Sequence, residues 1–247
     1  SILVKTALAK RLALNLIIRF GHNASKMFLA FLVLQLCLAP LIPATAPRAV
    51  MTLPLMLVVA AIYGSRSDRV NGFGRNLFLQ NLLGVNIFSS GFMTGSTANL
   101  IAISLIMSLS GEKVFYTDWM FANLPVVLVT MLLAWFFGPR LLIRLKPEER
   151  KPVIAGGIET LKRQLERMGR ISFQEKKAAA IFGLVIFLWV TDRFHMAWFG
   201  FEINPVMAAM AGAILTFLPK IGLIKWNEAD IPWHLMLFSA GAYAGGL

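Results

Sequence analysis

Apolar stretches of bilayer length or slightly less recur through almost the whole chain, and the basic residues gather in the connections between them. That pattern makes the bilayer the solvent. Hydrophobic residues make up 57% of the chain, charged residues 15%, and the mean hydropathy is +0.70, more apolar than a water-soluble core of this length requires. A formal charge of +12 spread over a polar face would suggest nucleic acid. Confined to loops, it is a topology signal instead, and no nucleic-acid partner is expected. Residues 139–178 carry eleven lysines and arginines against five glutamates. This bias predicts a cytoplasmic loop in a multi-pass protein of the cell inner (plasma) membrane, with lipid as its surroundings.

The remaining segments follow from length and interruption. Residues 1–23 predict an amphipathic helix at the interface, because Lys10, Arg11 and Arg19 interrupt its apolar residues and are expected to face headgroups. Residues 24–63 hold two helical runs, each too short to cross comfortably, separated by a stretch containing Pro40, Pro43 and Pro47. A full crossing would place Arg66 and Arg69 outside, against the charge bias. A re-entrant hairpin with its tip at residues 43–47 removes the conflict.

Residues 74–110 are too long for one simple span and carry a polar, glycine-rich interruption at 89–99. Two half-helices with an unwound centre are expected. Backbone groups left unpaired at such a break are tolerated only against protein or a solvated cavity, and an ion or anion site is the usual beneficiary. A transmembrane helix at 119–138 then leads into the basic loop of 139–178. Within it Ile158, Leu161, Leu165 and Met168 recur opposite Lys162, Arg163, Glu166 and Arg167, so a surface helix is expected. Two further transmembrane helices within 179–219 and the start of another at 231–247 complete an all-α polytopic membrane protein. Asp192 and Arg193, at a helix end, are expected to pair at the interface. The chain starts without an initiator methionine and stops inside an apolar run, so it is expected to be a fragment.

Three motifs resemble the divalent anion:sodium symporters, also called sodium-sulfate and dicarboxylate symporters, or anion permeases. They are Leu38-Ala-Pro-Leu-Ile-Pro-Ala-Thr-Ala-Pro-Arg-Ala49, Thr94-Gly-Ser-Thr-Ala-Asn99 and Tyr116-Thr-Asp-Trp119. Their order and spacing are similar to the branch carrying 2-oxoglutarate, malate and citrate. The resemblance implies an inverted-repeat, elevator-type transporter, usually a homodimer, of which this chain holds mainly the first repeat. One departure stands out. Where the family's proline is followed by Ser-Asn-Thr, this chain has Ala44, Thr45 and Ala46 after Pro43. Two side-chain oxygens are absent, which bears on whether sodium or a proton is the coupling ion.

The resemblance implies substrate contacts from Thr45, Ala46, Arg48, Thr94 and Asn99, and ion contacts from Ala44, Thr45, Thr94, Gly95, Ser96 and Asn99. Helix amino ends near the midplane would add positive potential. Small polar residues also pack helices, and Arg48 could equally clamp helix-end carbonyls. No cofactor is expected beyond a coupling Na+. The expectation is a carrier of small anions, by sodium symport or anion exchange. Sulfate transport, proton coupling and a channel-like pore are the alternatives. An enzyme is disfavoured because the spans lack paired carboxylates or histidines, and no nucleophile with its base can be assembled.

Overall fold

The computed structural model describes residues 8–21, 23–42, 45–66, 68–153, 157–219 and 222–226, with Trp233, Leu237 and Gly241. The expected helix start at 231–247 lies outside this set except at those three positions, and Ala44 lies outside it too. All regular structure among the described residues is helical: α1 Leu8–Phe20, α2 Ala24–Leu38, α3 Thr45–Ile62, α4 Gly72–Ser90, α5 Thr97–Ser110, α6 Tyr116–Phe137, α7 Gly157–Arg167, α8 Phe173–Val190, α9 His195–Phe199 and α10 Pro205–Phe217. A π turn, Gly138–Leu142, extends α6, and 3-10 turns occupy Met93–Gly95, Pro147–Arg150 and Asp192–Phe194.

Length sorts these helices. With its π turn, α6 forms one apolar rod of 27 residues, Tyr116–Leu142, about 40 Å at 1.5 Å per residue and ample for a hydrocarbon core of about 30 Å. Segment α8 reaches that test only together with Asp192–Phe199, from which it is bent by 63°. The helices α2, α5 and α10, of 15, 14 and 13 residues, fall short of the roughly 20 a crossing needs. The chain is therefore a membrane-type helical protein built partly from broken or half-length elements. Its large apolar side chains remain exposed on one helix after another, Phe121, Val126, Val129 and Leu132 on α6 and Val206, Met210 and Ile214 on α10 among them. Such a surface belongs in lipid or against further protein.

The main core lies where α1, α2, α3, α4 and α7 converge. Leu14, Ile17, Phe28, Phe31, Val59, Tyr63, Phe73, Leu77 and Leu161 are buried there. Tyr63 lies over Phe73 with ring centroids 3.8 Å apart, and its hydroxyl donates to the Gly21 carbonyl at 2.7 Å. That contact joins the end of α3 to the end of α1. A second tie comes from the basic loop: Glu149 accepts from the Gly72 amide and the Lys146 amide, both at 2.9 Å, and so caps the positive end of α4. Trp135 of α6 donates to the Ser25 carbonyl at 2.7 Å, fixing the long rod against the start of α2.

One expectation changes here. Of the α1 cations, Lys10 and Arg19 are exposed, but Arg11 turns into the protein. Its Nε donates to Glu175 Oε1 at 2.8 Å, and its terminal nitrogens reach the Gly169 carbonyl at 2.9 Å and the Met168 carbonyl at 3.1 Å. The reason is geometric. The turn after α7, which ends at Arg167, presents the Met168 and Gly169 carbonyls beside Glu175, and a planar guanidinium can serve those carbonyls and a carboxylate at once. Glu175 in turn caps α8 through the Ser172 amide at 2.7 Å.

The Arg11 guanidinium beside Glu175 holds its carboxyl below the ordinary value of 4.5. A depressed acid stabilises the fold above its unfolded pKa and loses that contribution as pH falls through the folded one. Glu175→Gln should therefore lower the thermal midpoint in detergent at neutral pH, by the equivalent of about 1.5–3 kcal/mol. The difference from the native protein should shrink below pH 4.5. A pH series of thermal melts on both proteins checks this.

Candidate functional site

The site is best built from the break between α4 and α5. Helix α4 stops at Ser90 and α5 starts at Thr97, so carbonyls at the end of α4 lose their intrahelical partners. In an apolar medium each needs another donor. Asn99 supplies two: its Nδ2 donates to the Ser89 carbonyl at 2.9 Å and to the Phe92 carbonyl at 2.8 Å. Trp119 of α6 supplies a third, from its indole to the Ser90 carbonyl at 2.8 Å. Ser96 caps α5, its hydroxyl accepting from the Ala98 amide at 3.3 Å. Gly95 lies so close to the Ser89 carbonyl that a Cβ there would overlap it. The Thr94 hydroxyl is buried beside the Tyr116 phenol and makes no well-formed hydrogen bond among the described residues.

A second polar group lies between α2, α3 and α4, nearer the middle of α4. Gln35 Nε2 donates to Asn81 Oδ1 at 2.6 Å and to the Thr52 hydroxyl at 3.2 Å. One turn from Thr52, Arg48 is wholly buried. One of its terminal nitrogens donates to the Val85 carbonyl, while Nε and the other terminal nitrogen have no partner among the described residues. Gln35 and Thr52 escape sequence reasoning because an isolated amide or hydroxyl in an apolar run carries no spacing signal. Asn81 bonds to a neighbouring helix, while among the described residues the Asn86 side chain bonds back to Leu82 on its own helix.

The predicted residues therefore form two groups. Thr94, Gly95, Ser96 and Asn99 come together at the break, whereas Arg48 sits with Gln35, Thr52 and Asn81. Thr45 is the half-buried first residue of α3. Ala46 falls inside that helix, with its side chain outside the described set. A cleft of about 510 Å³ reaches the break, its walls including Pro40 and Leu41 before the tip, Thr94 at the break, and Phe182, Trp189 and Gly212 from α8 and α10.

At this same end of α6 the expected Asp192–Arg193 pair is not formed. Arg193 pairs instead with Asp118, and Lys113 with Glu202. Asp192 is turned inward, accepting from the Tyr116 amide at 2.6 Å. Neighbours in sequence on a 3-10 turn point in different directions, which is why adjacency misleads here. His195 is wholly buried, with its ring nitrogens 3.1 Å from the Ile203 carbonyl and 3.2 Å from the Thr191 hydroxyl.

The comparison with known proteins agrees with this architecture. The profile of the sodium:sulfate symporter transmembrane region matches residues 1–245. The chain belongs to that family. The family description names the transmembrane region of a symporter, not an enzyme. It is 24% identical over 250 residues to the sodium-dependent dicarboxylate transporter SdcS of Staphylococcus saprophyticus, covering 95% of this chain and 47% of that protein. A transporter of Haemophilus influenzae is 26% identical over 246 residues, with 98% and 48% covered. A membrane protein of Cupriavidus necator is 24% identical over 245 residues, with 97% and 45% covered. The chain thus spans about half the length of the curated relatives it matches.

Two substitutions test the break. Gly95→Ala forces a methyl group onto the Ser89 carbonyl, which should cost about 1–3 kcal/mol of stability and abolish uptake by the complete transporter. Asn99→Ala removes one donor each from the Ser89 and Phe92 carbonyls, which retain the Phe92 amide at 3.4 Å and the Gly95 amide at 2.9 Å, at about 0.5–1.5 kcal/mol per bond lost. It should abolish uptake with expression retained; normal uptake by this variant would remove Asn99 from the site. Surface expression and radiolabelled uptake measured side by side separate folding from function.

Proposed function

We propose that the complete transporter containing this chain carries small organic anions, di- or tricarboxylates, as a secondary carrier by sodium-coupled symport or anion exchange. In this reading α2 and α3 form a re-entrant hairpin and α4 and α5 a broken helix. They belong to the transport domain of an inverted-repeat, elevator-type homodimer in the inner membrane. Helix α6 and the helices within 179–219 span the bilayer, 139–178 is cytoplasmic with α7 on the inner surface, and 231–247 begins a further span.

The observation that carries the reading is Arg48. A wholly buried guanidinium with two nitrogens unpartnered among the described residues is costly in an apolar protein unless an anion or water reaches it. Its planar fork matches a carboxylate. The unpartnered Thr94 hydroxyl on the cleft wall supports a polar ligand near the break. The dicarboxylate named for the staphylococcal relative favours carboxylates over sulfate; the family's own description keeps sulfate as the second reading. For the ion, Thr45, Thr94, Gly95, Ser96 and Asn99 are the proposed ligands on this half, together with Ala44 through its backbone.

The test is uptake of radiolabelled malate, 2-oxoglutarate, citrate and sulfate into proteoliposomes of the complete transporter, with sodium and proton gradients imposed separately. Saturable, sodium-driven uptake supports symport, and uptake only against preloaded anion means exchange. No uptake of any carboxylate would overturn the substrate class. Arg48→Gln should lower kcat/KM for the preferred anion by roughly tenfold or more, about 1.4 kcal/mol. Arg48→Lys, which keeps the charge but loses the fork, should recover only part of it.

A further inference from the structure

Asp192 has no role in the site described above, yet it is the one carboxylate among the described residues with a buried oxygen left bare. Only 9% of the residue is exposed. Oδ2 accepts the Tyr116 amide, while Oδ1 has no hydrogen-bond partner among the described residues, and Asp192 belongs to the wall of a cavity of about 430 Å³. Most of that wall is apolar: Met93, Leu100, Ile103, Met107, Ile203 and Val206. An ionised carboxylate with one oxygen facing such a surface lacks the solvation it had in water. Such a setting favours either a neighbouring cation or protonation.

No charged neighbour among the described residues bonds to Oδ1, although the His195 charge favours the ionised form. Arg193, next in sequence, is committed to Asp118, and Lys113 on the cavity rim is committed to Glu202. His195, from the following helix, is held between the Ile203 carbonyl and the Thr191 hydroxyl. The Tyr116 ring from α6 stacks on Trp189 with centroids 5.4 Å apart. A metal cation wants about six oxygen ligands, and this wall offers few: the Asn204 side chain already caps α10 through the Met207 amide. A proton needs one oxygen.

We infer that Asp192 is a proton-binding site, taking a proton from cavity water onto Oδ1 while Oδ2 keeps its bond to the Tyr116 amide. Burial pushes its carboxyl upward from the usual aspartate value, against the Tyr116 and Arg193 amides that favour the charge. The site has a short physical route to the break. Met93 lines the same cavity, and Tyr116, whose amide holds Oδ2, carries the phenol beside Thr94. Proton binding at Asp192 therefore bears on the break through α6. That use as a coupling or regulatory proton rests on the proposed carrier function, whereas the binding of the proton does not.

Infrared difference spectroscopy of the complete transporter in lipid, titrated with pH, tests the binding directly. A protonated-carboxyl band should persist above the ordinary aspartate value of about 3.9, shift on carbon-13 labelling of aspartate, and vanish in Asp192→Asn. That variant keeps an oxygen for the Tyr116 amide. A band that ignores the aspartate label, or survives in Asp192→Asn, overturns the inference; so does the lack of such a band. If Asp192→Asn does not fold, the label and Asp192→Glu, which should show the band under glutamate labelling instead, decide in its place. In uptake assays the pH dependence of the native transporter should flatten in Asp192→Asn. Failure of uptake in the native protein would count against the carrier reading alone, because the infrared titration needs no transport.

Discussion

The structure depends on how an apolar protein handles backbone carbonyls that a helix leaves open. Around the end of α4 the carbonyls of Ser89, Ser90 and Phe92 take side-chain donors from Asn99 and Trp119, those of Ser89 and Phe92 in addition to the Phe92 and Gly95 amides. Water would do this at a surface. In a bilayer the donors must come from the protein, and they must be placed before the break can exist. The same demand explains Gly95, which permits the close approach, and Ser96, which caps α5. Residues that resemble a family's ion-site loop are thus also the residues that hold that loop in shape.

This double duty sharpens the reading of each side chain. With both amide protons committed, Asn99 can offer a ligand only its oxygen, so its contribution to an ion or carboxylate is narrower than its residue type suggests. Thr94 and Arg48 are the opposite case. Each is buried with polar atoms unpartnered among the described residues, an arrangement that costs free energy unless something arrives to meet them. Ala44 and Ala46 carry no side-chain oxygen at the expected tip, and a proton site at Asp192 would give the proposed carrier another ion to use.

The outer frame follows a similar logic of satisfied ends. Arg11 closes the end of α7 and pairs with the carboxylate that caps α8; Glu149 closes the start of α4. Both contacts join segments far apart in sequence through the basic loop. The loop is thus a structural tie between the first helices and the later ones.

Much of this was legible in order and length. Proline at 40, 43 and 47 predicts that 24–63 cannot be one helix, and serine, glycine and threonine at 89–99 predict the break, because both effects are local properties of the backbone. Hydrophobic periodicity likewise marks the amphipathic helix α7. What tertiary structure alone decided is the partner of each polar side chain. Arg11 was expected at headgroups and instead serves α7 and α8. Asp192 was expected beside Arg193 and instead faces a cavity, and Gln35 and Thr52 carried no pattern at all. A polar group in hydrocarbon takes whichever donor or acceptor the packing brings within about 3 Å, and sequence distance does not set that proximity. Composition and interruption therefore determined where the chain bends and that it lives in a membrane; packing determined which buried charges remain unanswered.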